Sequence, residues 1–418
     1  MLRPGWHAPG FPAKSADRAR SMGAGMHPAS ADVVIVGGAV IGSAIAYFLR
    51  REGFKGRVAV VEKDSSYQWC ATGRSVASIR QQFSTPENIA LSQVTLALLR
   101  SLKETFGPTA DVGFKEQGYL ILASESGVPV LRGNNEVQKQ AGADIHLLQP
   151  DAMAERFPWL NLDALALGAF GATGEGWLDP VILMTLFRDA AKAKGVKVIK
   201  DTVVAIERRG SKIEAVQLAG GGRIACGSLV NAAGPAAGAV AGLVGIPLPV
   251  EPRKRFVYVV DCKDATPELH RAPLTVDPSG VWFRPEGRQF ITGVSPDETQ
   301  EPTPGELDLI DHAPFEEIVW PAIAARVPLF EAIKVTGAWA GHYDYNTLDQ
   351  NAIIGPHPEV TNFYFANGFS GHGLQQSAGA GQAITELIIH GGFRTIDLTR
   401  FGYGRIARGE PLLELNII

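Results

Sequence analysis

A few small residues near the start of the chain, and one acid beyond them, have the spacing of a nucleotide site. In VVIVGGAVIGSAIAYFL, Val33 to Leu49, Gly37 and Gly42 stand at the first and last glycine positions of G-x-G-x-x-G, with Gly38 between them. The middle glycine position is Ala39, which adds one methyl where the backbone must approach a pyrophosphate. Gly37 permits the tight turn, and Gly42 lets a helix pack closely on a strand. RVAVVEKD then ends on Glu62, 20 residues beyond Gly42, the spacing at which an acid at a strand tip reaches adenosine ribose hydroxyls. A βαβ turn that holds no nucleotide would carry the same glycines. The placement of the acid is what favours a nucleotide.

The far end of the chain offers a second constellation. Phe363 to Ala366 reads as a strand running into Gly368-Phe369-Ser370-Gly371-His372-Gly373, followed by a small-residue helix through Ala378, Ala380 and Ala383. Loop amides and the positive end of that helix suit a group that gains negative charge, such as the N1/C2-carbonyl edge of a reduced flavin. Between the two ends, GSLVNAAGPAAGAVAGLVG puts the small turn Ala232-Ala233-Gly234-Pro235 between a strand and a helix, for ligand approach or for tight packing.

These residues need elements to hold them. DVVIVGG reads as a strand buried on both faces, SAIAYFLRREG as a helix ending at Gly53, and RVAVVEKD as the next strand. Asp179-Pro180 opens a helix, with strands broken at Gly210 after it. GYLILAS, RFVYVVD, GVWFRP and QFITGV read as further strands at intervals, suited to an antiparallel sheet. The nucleotide motifs are scattered, so the expected domain combines 31–110, 172–246 and 336–405. Residues 111–171 and 247–335 would form a second, substrate-facing domain, with 1–30 a disordered extension and 406–418 a C-terminal tail.

Composition removes several alternatives. With 39 Lys and Arg against 43 Asp and Glu, the chain lacks the basic field that nucleic acid demands. Cys70, Cys226 and Cys262 are too far apart for a structural metal site or a disulfide framework, so no metal is expected and a reducing compartment fits. The apolar run Val33–Leu49 is split by Gly37-Gly38 and reads as core, so no transmembrane segment is expected. The first thirty residues lack the apolar stretch of a secretory signal. The expected location is the cytoplasm, or the mitochondrial matrix in a eukaryote.

The order VVIVGGAVIGSAIA, Glu62, EGWLDP, VNAAG, NTLDQNAIIG and GFSGHG resembles the D-amino-acid oxidase/sarcosine oxidase family of FAD enzymes, from Asp32 to Glu386. SIRQQFSTPENIALS, YDYNTLDQNAIIGPHP and the ending ELNII look closest to a branch with a mitochondrial FAD-dependent oxidoreductase linked to complex I assembly. Members of that branch often carry alanine at the position of Ala39. The resemblance implies an α/β fold: a Rossmann-like FAD-binding domain interleaved with an antiparallel-sheet substrate domain, of the glutathione-reductase type. It implies FAD held by Gly37, Gly38, Ala39, Gly42, Glu62, Lys63, Ser75, Val203, Ala233, Gly234 and Gly371 to Leu374. It also implies that Arg80 lies beside the flavin, where its plain alternative is a surface charge.

The same resemblance exposes departures. His342 replaces a flavin-linked cysteine, so non-covalent FAD is expected, although His342 and Cys70 are both nucleophiles that could lie near the ring. Gln375 and Phe83 replace the lysine and arginine that grip a substrate carboxylate, which leaves Arg284 or Arg255 for that task. The oxygen-activating lysine falls near Ile291. The expected reaction is hydride transfer from the carbon beside an unprotonated amine to flavin N5. Its substrate would be a secondary, N-methylated or D-amino acid or a related small amine, with oxygen or an electron-transfer acceptor as oxidant. His342 and His372 are the acid–base candidates, His372 with a structural alternative. Tyr258 would wall the substrate pocket or belong to the core. A protein partner or self-association stays open, as do an assembly protein with structural FAD and a subunit of a heteromeric dehydrogenase.

Overall fold

The computed structural model describes residues 27–297, 299 and 301–415. Most of the expected N-terminal extension, and the last three residues of ELNII, lie outside these. Ser30 already belongs to the first strand, Ser30–Val36, where it stands opposite Ala225.

Two eight-stranded sheets organise the chain. In the first, Ser30–Val36 lies between Val58–Glu62 and Arg223–Asn231, parallel to both, as suits its unbroken apolar run Val33–Val36, which must be covered on two faces. Lys197–Lys200 extends one side; Phe363–Asn367 and Ile353–Pro356 extend the other. The helix Val40–Arg51, with Gly53 at φ +81° beyond its end, packs on one face of this sheet with Pro180–Ala193 and Gly373–His390. Small residues make the last of these helices fit. A Cβ at Gly381 would lie 2.9 Å from Ala44, and one at Gly379 would lie 2.7 Å from the Leu91 side chain. The Asp179 carboxylate caps Pro180–Ala193 by accepting from the amides of Val181 and Ile182, each at 2.9 Å.

The second sheet contains Tyr119–Ala123, Trp282–Glu286, Gln289–Gly293 and two long strands, Val250–Cys262 and Ile333–Asn346. The long strands pair antiparallel from Val250 opposite Asn346 to Cys262 opposite Ile333. A boundary at residue 336 therefore falls inside a continuous strand of this sheet. Its core contains Phe283, Phe290 and Phe330, which meet edge to face. Among the described residues no helix is long and apolar enough to cross a membrane.

Candidate functional site

The carboxyl ends of the parallel strands open into a cavity of about 430 Å³, walled across by the long strands of the second sheet. At one end the chain leaves Ser30–Val36 at Gly37, whose φ of +99° and position leave no room for a side chain. A Cβ there would lie 2.3 Å from the Ala232 carbonyl oxygen. A Cβ on Gly42 would lie 1.9 Å from the Gly37 oxygen. The Gly38 amide donates to Glu62 Oε2 at 2.7 Å, and the Asp64 amide donates to Oε1 at 2.8 Å, which fixes the acid at its strand tip. Gly37, Ala39, Glu62 and Lys63 line the cavity, as do Ser75, Ala233 and Gly234. Gly38 and Gly42 shape the turn from behind. Val203 is buried in the apolar cluster below the sheet with Ile206, outside the cavity wall.

At the other end the strand Phe363–Asn367 enters a loop with Gly368 at φ +71°, Ser370 at φ +50° and Gly371 at φ +99°. A Cβ on Gly371 would meet the Tyr343 ring at 2.7 Å, so only glycine brings the loop this close. The Asp344 carboxylate accepts from the Phe369 amide at 3.1 Å; burial outweighs this bond and pushes its carboxyl up to about 6. Gly371, Gly373 and Leu374 line the cavity where the helix Gly373–His390 begins. This 18-residue helix turns its positive end toward the cavity. Two helix starts, a glycine cradle with no room for Cβ atoms, and an anchored acid fit a dinucleotide cofactor such as FAD.

Several expected site residues lie behind the cavity wall. Arg80 is 2% exposed, and neither a helix nor the surface holds it. Its guanidinium donates to the Gln82 carbonyl through Nη1, lies 4.1 Å from the Phe83 ring and reaches His372 Nε2 at 3.3 Å. Burial, then the charge of Arg80, pushes the His372 imidazole down to about 3, so it is neutral and cannot act as an acid at ordinary pH. Gln375 is also turned away, since its Oε1 accepts from the Arg80 amide at 2.8 Å. Arg284 lies over the Trp177 ring and donates to the carbonyls of Pro285 and Val76, each at 2.9 Å. Tyr258 is core: its ring packs on Phe315 and its hydroxyl donates to the Asp311 carbonyl at 2.7 Å.

His342 does line the cavity. Its Nε2 meets the Pro304 carbonyl, which can only accept, so the ring proton sits on Nε2 and Nδ1 is the acceptor. Burial lowers its pKa. Tyr258, His342 and Lys254 together anchor the loop around 301–311, with Lys254 Nζ donating at 2.7 Å to the carbonyls of both Glu306 and Leu309.

Sequence reasoning missed Glu175, which is fully buried, accepts from the Gln81 amide at 2.6 Å and from Gln82 Nε2 at 2.8 Å, and so holds the segment carrying Arg80. The signal was an acid beside an otherwise apolar Gly176-Trp177 in EGWLDP. It also missed Asp344 and Tyr343, whose neighbours in NTLDQNAIIG drew attention downstream.

The model for FAD dependent oxidoreductases matches residues 32–387. The chain belongs to this family. FAD-dependent oxidoreductase domain-containing protein 1 of Xenopus laevis is 42% identical over 429 residues, covering 94% of this chain and 85% of that protein. Human mitochondrial sarcosine dehydrogenase is 27% identical, covering 87% of this chain and 40% of its own length. Among solved structures, L-proline dehydrogenase from P. horikoshii superimposes with a TM-score of 0.81 at 26% identity, over 92% of this chain and 100% of that one. As in the rest of the family, the cofactor is FAD, and the interleaving of a parallel-strand FAD region with an antiparallel sheet is the family's fold.

Proposed function

We propose that this chain oxidises the C–N bond of a secondary, N-methylated or D-amino acid or a related small amine, using non-covalently held FAD. The observation that carries the reading is the continuity of the cavity, from Glu62 to the loop at Gly371 and on beneath the strands carrying Tyr343 and Arg255. Relatives named for sarcosine and for proline act on secondary amines, which supports that substrate class. In this reading Glu62 takes the adenosine ribose, and Gly37, Ala39 and the start of Val40–Arg51 take the pyrophosphate. Gly371, Gly373 and Leu374 take the flavin edge. FAD supplies a two-electron acceptor for the hydride released from the carbon beside nitrogen.

The chain's own residues bind, orient and keep water out. Tyr343, Trp282 and Leu307 give the roof its apolar surface, and the loop bonded to Lys254 closes one wall. His342 is poised to take a proton at Nδ1 from the ammonium form of the substrate, leaving the neutral amine that hydride release requires. Arg80 and His372 hold the loop from behind as positioning residues. Ile291 is buried apolar where the resemblance puts an oxygen-activating lysine, which supports an electron acceptor other than oxygen. Turnover of sarcosine, N-methyl amino acids, D-amino acids and proline, followed with a reducible dye and with an oxygen electrode, tests this. Dye reduction without matching oxygen uptake is expected; oxygen uptake at the dye-reduction rate would make the protein an oxidase.

A further inference from the structure

Asp344 lines the cavity from the strand Ile333–Asn346 and is otherwise enclosed, with 8% of its surface exposed. It staples the glycine loop twice. Its carboxylate accepts from the Phe369 amide at 3.1 Å and from the Gly368 amide, and its own carbonyl accepts from the Ser370 amide at 3.1 Å. The Ser370 hydroxyl completes the join by accepting from the Asn346 amide at 3.0 Å. An asparagine would accept from the same amides through its side-chain oxygen, without the cost of a buried charge. Anchoring the loop therefore leaves the acid unexplained.

Among the described residues no cation offsets that charge. On the same strand His342 is turned to the Pro304 carbonyl, and Tyr343 and Tyr345 adjoin Asp344 as phenols, the first pushed up by burial. Across the ladder Asp344 stands opposite Pro252, whose neighbours Glu251 and Arg253 pair with each other, and Glu301 holds Arg255 at 2.7 and 2.8 Å. The loop contributes His372, which is neutral. Arg74, beside Gly341, is spent on the Gln68 and Ala340 carbonyls. The turn Gly234–Ala236, which packs on this strand, and the first turn of Gly373–His390 carry no titratable side chain. Burial raises the carboxyl, three backbone amides lower it and no side-chain charge enters the balance, which leaves it at about 6. Of the acids that line the cavity, Glu62 and Asp64 belong to the far end, whereas Asp344 belongs to the loop that takes the flavin edge in the proposed function.

We infer that Asp344 is the proton partner of the flavin: it takes a proton from solvent when the flavin is reduced and returns it on reoxidation, so that the charge of its carboxyl sets the flavin potential. This rests on the flavin placement proposed above and adds a proton-coupled residue to it. In balance, the flavin receives two electrons and one proton and becomes an anion at the loop, while a second proton passes from water to an Asp344 oxygen. A carboxylate beside that anion would oppose reduction by like charge, and the neutral acid does not.

The test uses the FAD-loaded protein and needs no substrate, because an electrode with mediator dyes supplies the electrons. The flavin midpoint potential is followed from about pH 5 to about pH 9. Above the carboxyl's own value of about 6, its pH dependence should steepen from one proton per two electrons to two, then relax to one at higher pH. Asp344→Asn should keep the one-proton dependence throughout, matching the unsubstituted protein at the acid end and lying above it at the alkaline end. Infrared spectra of the reduced minus the oxidised protein should show a protonated carboxyl gained in the unsubstituted protein and none in Asp344→Asn. His342→Gln, the control for the cavity's other titratable group, should retain both signals. Flavin content of each variant keeps a lost cofactor apart from a lost coupling. Equal pH dependence in the unsubstituted protein and Asp344→Asn, a carboxyl signal that survives that substitution, or signals lost only in His342→Gln overturns the inference. A carboxyl that titrates in the infrared beside a flavin potential indifferent to it would overturn the flavin placement as well. Both signals present in a protein whose flavin no amine reduces would support the inference while overturning the oxidation reading.

Discussion

Glu175 sits against Gln81 and Gln82 with its carboxyl pushed up to about 8, because burial outweighs the hydrogen bonds it accepts. Its ordinary value is 4.5. The folded state therefore binds a proton more tightly than the unfolded chain does, and stability from this group is complete below pH 4.5 and lost as pH rises toward 8. The loss is about 1.4 kcal/mol for each pH unit in that window. Comparing urea unfolding of the unsubstituted protein with that of Glu175→Gln across this range should show the unsubstituted protein losing ground as pH rises, with the difference constant below it. A difference that does not change with pH would mean the carboxyl titrates normally. At this scale sequence legibility was uneven. Gly37, Glu62 and Gly371 are set by backbone spacing and could be read directly. Arg80, Gln375 and Tyr258 could not, because the direction in which a side chain turns depends on partners such as His372, the Arg80 amide and Asp311, which come from distant parts of the chain.

The turn between Ser30–Val36 and Val40–Arg51 shows how an element carries the site. Gly42→Ala would drive a methyl into the Gly37 carbonyl oxygen, so a loss of about 3 kcal/mol or more, together with loss of bound FAD, is expected. Ala39 lines the cavity at the helix start without a steric limit of that kind, and Ala39→Gly should keep FAD and change stability by less than about 1 kcal/mol. Thermal unfolding and flavin absorbance of the two purified variants check both; loss of FAD from Ala39→Gly would contradict this account of the turn. Elements with strong local signals were legible: the Val/Ile strands, the Asp179-Pro180 helix start and the glycine-loop strand, which proves to run from Phe363 to Asn367. Short pieces such as Ser78–Ile79 and Gly176–Trp177 were not. They are strands only because they pair with each other across almost a hundred residues, and two residues carry no periodicity.

At the scale of the whole molecule, the C-terminal segment is tied back onto the residues that precede the helix Pro86–Arg100. Glu414 is buried against the start of the helix Pro86–Arg100, where it accepts from the Ser84 amide at 2.6 Å, the Thr85 amide at 3.1 Å and Asn88 Nδ2 at 3.0 Å. Removing the acid strands these donors, so Glu414→Ala should cost at least about 2 kcal/mol, measured as a lowered Tm, with Glu414→Gln recovering part. An unchanged Tm would show that the tail is not a structural tie. A close of this kind could not be read from ELNII, since nothing in the five letters says which amides the acid meets. The central claim, that this FAD-binding cavity oxidises an amino acid, is tested most directly by mixing the purified holoprotein, without air, with a panel of N-methyl amino acids, D-amino acids and proline while following visible absorbance. At least one of them should bleach the flavin within a catalytic time, with colour returning slowly when air is admitted. A flavin that dithionite reduces but no member of the panel does, or a protein that holds no flavin after reconstitution, would contradict it.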